Sequence, residues 1–134
     1  LKLKAGDADA KQVVVAPVSQ ILKYLRMPSV TELSITSLLP HMHMLGKTIS
    51  TGINSQTLLD IDRWQFGWQQ TYYLQQPVRA TASDLLTLEC HWDNSYANQP
   101  TVDGKKGMPR DVVWGEGSGD EMCVSLLGVA LPRL

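Results

Sequence analysis

Polar and apolar side chains alternate in Thr31–Leu38, whose sequence is TELSITSL. On a strand this alternation puts Leu33 and Ile35 on one face and Glu32 and Ser34 on the other. A strand with one apolar face belongs to a sheet that covers a core on that side. Because the repeat is two residues rather than 3.6, the segment predicts a β-strand and not a helix.

Similar short apolar stretches recur along the chain, and most of the 10 Gly and 7 Pro lie between them. This punctuation is typical of strands joined by turns. The predicted strands are Gln12–Ala16, Thr31–Leu39, Met42–Ser50, Thr57–Ile61, Gln69–Leu74, Val78–Ala80, Leu85–Trp92 and Cys123–Leu131. Their spacing, without intervening helices, predicts an all-β fold, an antiparallel β-sandwich of the jelly-roll kind.

The 134 residues are expected to form a single domain. Within it, we expect residues 1–30 to be an irregular N-terminal segment apart from the strand named above. There, Ser19–Arg26 has apolar residues at helical spacing and forms a short helix or an irregular edge that ends at Pro28. Residues 94–120 are rich in Gly and Pro and predict a long loop, which in compact domains is usually functional or disordered.

The charge balance excludes two classes of protein. Twelve Lys and Arg face 13 Asp and Glu, for a net charge of −1, so the basic surface of a nucleic-acid or anionic-membrane binder is missing. No apolar run approaches the roughly 18 residues that cross a bilayer. We expect no nucleic-acid partner and no membrane-spanning segment. Because residue 1 is Leu rather than Met, we also expect a processed chain or part of a longer protein.

Two of the three histidines lie in His41-Met42-His43, directly after Pro40. On a strand, residues i and i+2 face the same side, so both imidazoles can reach one metal ion while Met42 points away. The pattern by itself leaves two interpretations open. It is a metal site, or it is a pair of solvated or hydrogen-bonded histidines.

The two cysteines, Cys90 and Cys123, each lie in a predicted strand and lack partners at the spacing of a zinc site. A disulfide between them would close a loop of about 34 residues and stabilise the fold by roughly 3–4 kcal/mol. It would also imply an oxidising compartment. Two buried, reduced cysteines are the alternative.

Two motifs, HMHMLGK at His41–Lys47 and DEMC at Asp120–Cys123, occur in this order in the chain. Together they resemble the C-terminal domain of the copper type II, ascorbate-dependent monooxygenases, a family that includes peptidylglycine α-hydroxylating monooxygenase and dopamine β-monooxygenase. The resemblance extends through Trp64–Tyr73 and Cys90–Asn98 and covers roughly Ser34–Leu127.

The resemblance implies that His41, His43 and Met122 bind one copper ion, at which the family activates dioxygen for C–H hydroxylation. The donor types agree with copper, because a thioether is a soft ligand that favours Cu(I) and imidazole suits both oxidation states. The resemblance also pairs Cys90 with Cys123, so that a disulfide would support the strand that bears Met122.

Three positions depart from the peptide-amidating members of the family. Those members hold the carboxylate and backbone of their substrate with Arg, Asn and Tyr, where this chain has Leu39, Val124 and Leu126. Apolar side chains do not neutralise a carboxylate, so a glycine-extended peptide is not the expected substrate. A small-molecule substrate is the remaining expectation.

Full-length members carry a second copper, bound by three histidines in an N-terminal half, that stores and delivers electrons. Beyond the two motif histidines this chain has only His91, so it is not competent alone. We expect an electron-donating domain or subunit with a second copper or a haem, in an extracytoplasmic compartment, periplasmic or secreted. The alternative is a non-catalytic copper-binding or structural subunit of a larger extracytoplasmic assembly.

Residues beside the motifs are expected to serve the structure. Met44 follows His43 and would face the core on the opposite side of a strand, and the alternative is a further soft metal ligand. The adjacent carboxylates of Asp120 and Glu121 would diverge and make structural hydrogen bonds rather than act as an acid–base pair. The alternating aromatic residues in Trp64–Trp68 could line a substrate cleft, but their strand spacing favours core or an interdomain face. His91 would be exposed or hydrogen-bonded.

Overall fold

A computed structural model describes residues 1–132, which form two main antiparallel sheets. One sheet has four strands in the order β2-β7-β4-β5, and the other has three in the order β11-β3-β6. The helices and strands are β1 (Lys2–Leu3), β2 (Ala10–Pro17), α1 (Val18–Tyr24), β3 (Glu32–His41), β4 (Gly46–Ile53), β5 (Gln56–Ile61), β6 (Tyr72–Thr81), β7 (Leu85–Trp92), a 3-10 turn (Tyr96–Asn98), β8 (Thr101–Val102), β9 (Lys105–Lys106), β10 (Val112–Val113) and β11 (Val124–Ala130). The predicted all-β sandwich is confirmed. Residues 133 and 134 of the predicted domain lie outside the described residues.

The alternating segment lies in β3, the central strand of the three-stranded sheet. Leu33 and Ile35 are buried, as the pattern predicts. The alternation ends at Ser37 and Leu38, which are both buried, because the pairing with β6 shifts register between Ile35 and Ser37. The strand then continues to His41.

Four segments differ from the sequence predictions. Residues 94–120, predicted as a long loop, contain the 3-10 turn, the paired strands β8 and β9, and β10, which pairs with β1. Met42–Leu45 is a turn, and β4 begins only at Gly46. A single strand, β6, spans residues 72–81 where two short strands are predicted. Residues 1–30 are more regular than expected, because β2 pairs with β7 over all of its eight residues.

The predicted short helix is confirmed as α1, Val18–Tyr24. Its first backbone N–H groups donate to Asp84 and Ala82 carbonyls in the loop between β6 and β7. The helix buries Val18 and Leu22 against the sheets. Within the described part of the chain, residues 1–132, no helix is long and apolar enough to cross a membrane.

Two groups of buried side chains fill the interior. The first, the aliphatic cluster, lies beneath α1 and contains Val18, Leu22, Leu33, Ile35, Ile53, Ala80 and Leu86. The second, the motif cluster, lies beneath the two sequence motifs and contains Leu3, Ala10, Met42, Leu45, Ile49, Trp64, Cys90, Trp92, Val112 and Cys123.

A disulfide joins Cys90 of β7 to Cys123, directly before β11, with the two Cα atoms 6.0 Å apart. This bond agrees with the first of the two interpretations of the sequence, a disulfide, and not with two reduced cysteines. The bond links the two main sheets, because β7 belongs to one and β11 to the other. It thereby fixes the start of β11 relative to the four-stranded sheet.

Candidate metal centre

The structure brings the two motif histidines together at one end of β3. His41 is the last residue of the strand, and His43 lies in the turn that follows. Their ring centroids are 5.0 Å apart, with the rings edge to face. Met42, between them, is fully buried in the motif cluster. The two imidazoles therefore face away from Met42, as the spacing predicts, although the segment is a turn instead of a strand.

Each imidazole is oriented through its Nδ1 atom. His43 Nδ1 lies 3.1 Å from the backbone oxygen of Asp120, and His41 Nδ1 lies 2.5 Å from Oε1 of Gln69. The Gln69 amide is itself oriented, because its Nε2 donates to the carbonyl of Phe66 at 2.7 Å. Since both oxygens only accept hydrogen bonds, both Nδ1 atoms carry the proton, and each Nε2 keeps a lone pair that can bind a metal ion.

Met122 reaches the same end of the sandwich on the segment that leads into β11. It is half-buried and lies two residues before Val124, the position that pairs with His41 in the sheet. Asp120, two residues earlier, is the residue whose carbonyl orients His43. Both sequence motifs therefore meet at one place.

Glu121, the residue before Met122, is fully buried. One carboxylate oxygen accepts from the backbone N–H of Leu45 at 2.7 Å. The other accepts from the backbone N–H of His43 at 2.9 Å, from Trp92 Nε1 at 3.0 Å and from its neighbour Met122 at 3.3 Å. The expected structural hydrogen bonding is confirmed, but its partners were not predicted.

Aromatic side chains cover the His43 turn. Trp64 is buried and donates from Nε1 to the His43 carbonyl at 2.9 Å. The Phe66 ring packs edge to face against His43, with ring centroids 5.9 Å apart. Trp68 is 72% exposed, so the predicted strand-like alternation is wrong here. The segment is a loop, and it bends back so that Gln69 reaches His41.

Met44 is also predicted incorrectly, because it is exposed rather than in the core. Strand alternation does not apply in a turn, and this side chain lines a cavity of about 240 Å³ instead. His91 is hydrogen-bonded, as expected: Nε2 lies 2.8 Å from Glu89 on the same strand. The Lys11 ammonium and, second, His91 hold the pKa of Glu89 below its usual range.

No three His, Cys, Asp or Glu side chains in residues 1–132 come together as a metal-binding group. Of the thioethers in the two motifs, Met42 is fully buried, Met44 is exposed and Met122 is half-buried, and Met122 is the one that the resemblance implies as a ligand.

A comparison with family models gives one match, to the copper type II ascorbate-dependent monooxygenase C-terminal domain, over residues 21–128. The chain belongs to this family. The matched range begins in α1, ends in β11 and includes both motifs and the disulfide. No curated protein sequence matches the chain. Membership in this copper-dependent family is consistent with the donor types at the end of β3.

This monooxygenase domain has apolar side chains beside His41. Val124 pairs with His41, and Leu126 pairs with Leu39, so all four lie on one face of β3 and β11. Leu126 is 60% exposed, whereas Leu39 and Val124 are half-buried. The surface next to the histidines is therefore apolar at the three positions where the peptide-amidating relatives are polar.

Proposed function

We propose that this chain is the dioxygen-activating copper domain of a monooxygenase, with His41, His43 and Met122 as the ligands of one copper ion. The main support is the hydrogen bonding of the two imidazoles, which occupies both Nδ1 atoms and leaves both Nε2 atoms available at one place. The donor set suits copper, because neutral imidazoles and a thioether stabilise Cu(I). Zinc prefers a carboxylate or thiolate as its third ligand.

When bound, copper would supply the one-electron redox chemistry by which dioxygen hydroxylates a C–H bond. The chain itself holds and orients the ligands. The Asp120 carbonyl and the Gln69 amide fix the two ring orientations, while Trp64 and Phe66 exclude water from one side of the His43 turn.

The substrate we propose is an apolar small molecule that lies on the face formed by Leu39, Val124 and Leu126. An apolar face disfavours the desolvation of a charged group, so a free carboxylate is a poor fit. A second copper site would need further histidines, and His91, the one histidine beyond His41 and His43, is hydrogen-bonded to Glu89. Electrons would therefore come from another domain or subunit that carries a second copper or a haem. The disulfide supports an extracytoplasmic location, periplasmic or secreted.

A second candidate is a non-catalytic copper-binding or structural subunit of a larger extracytoplasmic assembly. The observation that favours it is the same apolar face, since the polar groups that hold substrate in the peptide-amidating relatives are replaced. The two candidates share the metal site and differ in whether the bound copper reacts.

The test is a copper titration of the wild-type protein and of two matched histidine variants. We expect one equivalent in the wild type, at least about a hundredfold weaker binding in His41→Ala, and wild-type binding in His91→Ala. Unchanged stoichiometry in His41→Ala would make the ligand assignment wrong. After reduction by ascorbate, reoxidation by dioxygen supports the monooxygenase, whereas copper that stays reduced in air supports the binding subunit.

A further inference from the structure

We infer that Glu121 is a positioning residue of this metal centre. Its carboxylate holds the His43 turn and the Met122 segment at a fixed separation. This inference rests on the proposed function for the identity of the metal. Its structural part, the fixing of the turn by a buried carboxylate, does not depend on copper.

The turn needs an acceptor from outside the sheets. β3 ends at His41 and β4 begins at Gly46, so His43 and Leu45 lie between the two strands and outside the hydrogen-bonded pairing of either sheet. Their backbone N–H groups both donate to the Glu121 carboxylate, at 2.9 and 2.7 Å. Buried backbone donors are rarely left unpaired because the cost is high. The carboxylate therefore replaces a strand partner for this stretch.

The same carboxylate joins three parts of the chain. It binds the His43 turn, it accepts from Trp92 Nε1 of β7 at 3.0 Å, and its own backbone leads into Met122. The Glu121 backbone is anchored as well, because its N–H donates to Val113 in β10 at 3.2 Å. The acceptor is thus held from both sides before any metal binds.

The other connections between the motifs do not accept from the backbone N–H groups of His43 and Leu45. Pairing of β11 with β3 sets Val124 opposite His41 and ends there. The disulfide attaches Cys123 to β7 and shares the motif cluster with Met42 and Leu45, but it offers no oxygen acceptor to the N–H groups of the turn. Hydrogen bonds to the carbonyl and the ring of His43 help to locate that residue. The backbone N–H groups of His43 and Leu45, however, have Glu121 as their acceptor.

The test compares Glu121→Gln with Glu116→Gln. The substitution at Glu121 keeps the size of the side chain but replaces one acceptor oxygen with an NH₂ group that faces N–H donors. Glu116 is an exposed carboxylate earlier in the same loop and is the matched control. Circular dichroism and an intact mass two units below that of the reduced chain establish that each variant is folded with its disulfide formed.

The first measurement is amide hydrogen exchange of the metal-free proteins. We expect the His43 and Leu45 amides to exchange at least about tenfold faster in Glu121→Gln. The Ile35 amide, in the aliphatic cluster, is expected to keep its wild-type rate, and Glu116→Gln to match the wild type throughout. Unchanged exchange at both His43 and Leu45 would overturn the inference.

The second measurement is copper binding by the folded variants. We expect Cu(I) affinity to fall at least about tenfold in Glu121→Gln, in the range found for residues that orient metal ligands, with an altered Cu(II) electron paramagnetic resonance spectrum. A merely structural role would lower the unfolding temperature but leave the affinity and spectrum of the folded protein unchanged, and that result overturns the inference.

A third variant covers the case in which Glu121→Gln does not fold. Glu121→Asp keeps the charge but is one methylene shorter, so it cannot reach both the turn and Trp92. Its folded form is expected to show the same two changes, and wild-type exchange and affinity in it would be contrary evidence. Failure of the wild-type protein to bind copper would instead contradict the proposed function, while the exchange data still decide whether Glu121 holds the turn.

Discussion

The aliphatic cluster and the motif cluster lie in the same sandwich but are built from different side chains. The first contains only Ala, Val, Leu and Ile. The second contains two Trp, one Met and the disulfide, and next to it lie the fully buried Glu121 and the nearly buried His43. A buried polar group is tolerated only with hydrogen-bond partners in place. The motif half therefore has a defined geometry, whereas the aliphatic half mainly contributes stability.

The largest effect that separates the two halves is expected from Ile35→Ala. Ile35 is fully buried in the aliphatic cluster, and truncation of such a side chain costs about 2–5 kcal/mol of unfolding free energy. Denaturant titration measures this loss. Copper affinity of the folded variant is expected to stay within about twofold of wild type, because the motif half, which contains the proposed ligands, depends on its own hydrogen bonds.

Val13→Ala is the control for that variant, since Val13 is 46% exposed on β2 and is expected to cost far less. A loss of copper affinity in folded Ile35→Ala comparable to the loss in His41→Ala would show that the two halves are not independent.

Gly46→Ala is expected to lower stability by an intermediate amount, and its effect is expected in the motif half. An added Cβ would lie 2.5 Å from Trp64 Cδ1 and 2.9 Å from Met42 Cε, both beneath the His43 turn. Overpacking of this kind costs about 1–3 kcal/mol. We also expect weaker copper binding, because displaced Trp64 loses its hydrogen bond to the His43 carbonyl.

The control is Gly67→Ala, in the loop that carries Phe66. A Cβ at Gly67 would meet no atom within 4 Å, so stability and copper affinity are expected to match the wild type. Equal effects of the two substitutions, measured by thermal unfolding and copper titration, would contradict the steric explanation.

The smallest expected effect is on the pH dependence of folding stability, at the end of the sandwich that contains the aliphatic cluster. Hydrogen bonds from Asn54 and then from Thr81 hold the pKa of Asp84 below its usual range. The folded state therefore favours the ionised form, and this stabilisation is present above the unfolded pKa of about 3.9. It is lost as the pH falls from there through the lower folded pKa.

Asp84→Ala is expected to remove this part of the acid dependence and to leave copper affinity unchanged. Asp62→Ala, which removes an exposed carboxylate, is the comparison, and unfolding midpoints between pH 2 and 7 measure both. An identical acid profile for Asp84→Ala and wild type would show that the hydrogen bonds do not contribute.

The sequence predicts most of the fold because strand patterns are local. The alternation in Thr31–Leu38 requires only neighbouring residues, and the strand it predicts is present from Glu32 onward. The Met42–Leu45 turn is different, because its backbone acceptor is Glu121, 78 residues after His43 in the chain. A local pattern of alternating side chains does not contain that information, so the turn was predicted as strand.

The candidate metal centre shows the same limit. The H-x-H spacing indicates that two imidazoles can face one side, and the resemblance adds Met122 as an expectation. The hydrogen bond from His41 Nδ1 to Gln69 Oε1 was not predicted, because it depends on how the Trp64–Trp68 loop folds back. Glu121 is an acidic residue directly before Met122 and Cys123, at the point where a strand begins, and such a position is unusual for a carboxylate. The four N–H groups that donate to it can be identified only from the structure.

The disulfide between Cys90 and Cys123 also determines how the chain responds to proteolysis. Residues 94–120, the segment that was predicted to be a long loop, lie entirely inside the covalent ring that this bond closes. One cleavage anywhere within this segment therefore yields two fragments that remain a single molecule until the disulfide is reduced. His41 and His43 would be on one fragment and Met122 on the other, tethered within one residue of Met122. A nicked form of the protein would keep the proposed ligand set together, and the nick would be visible only on a reducing gel.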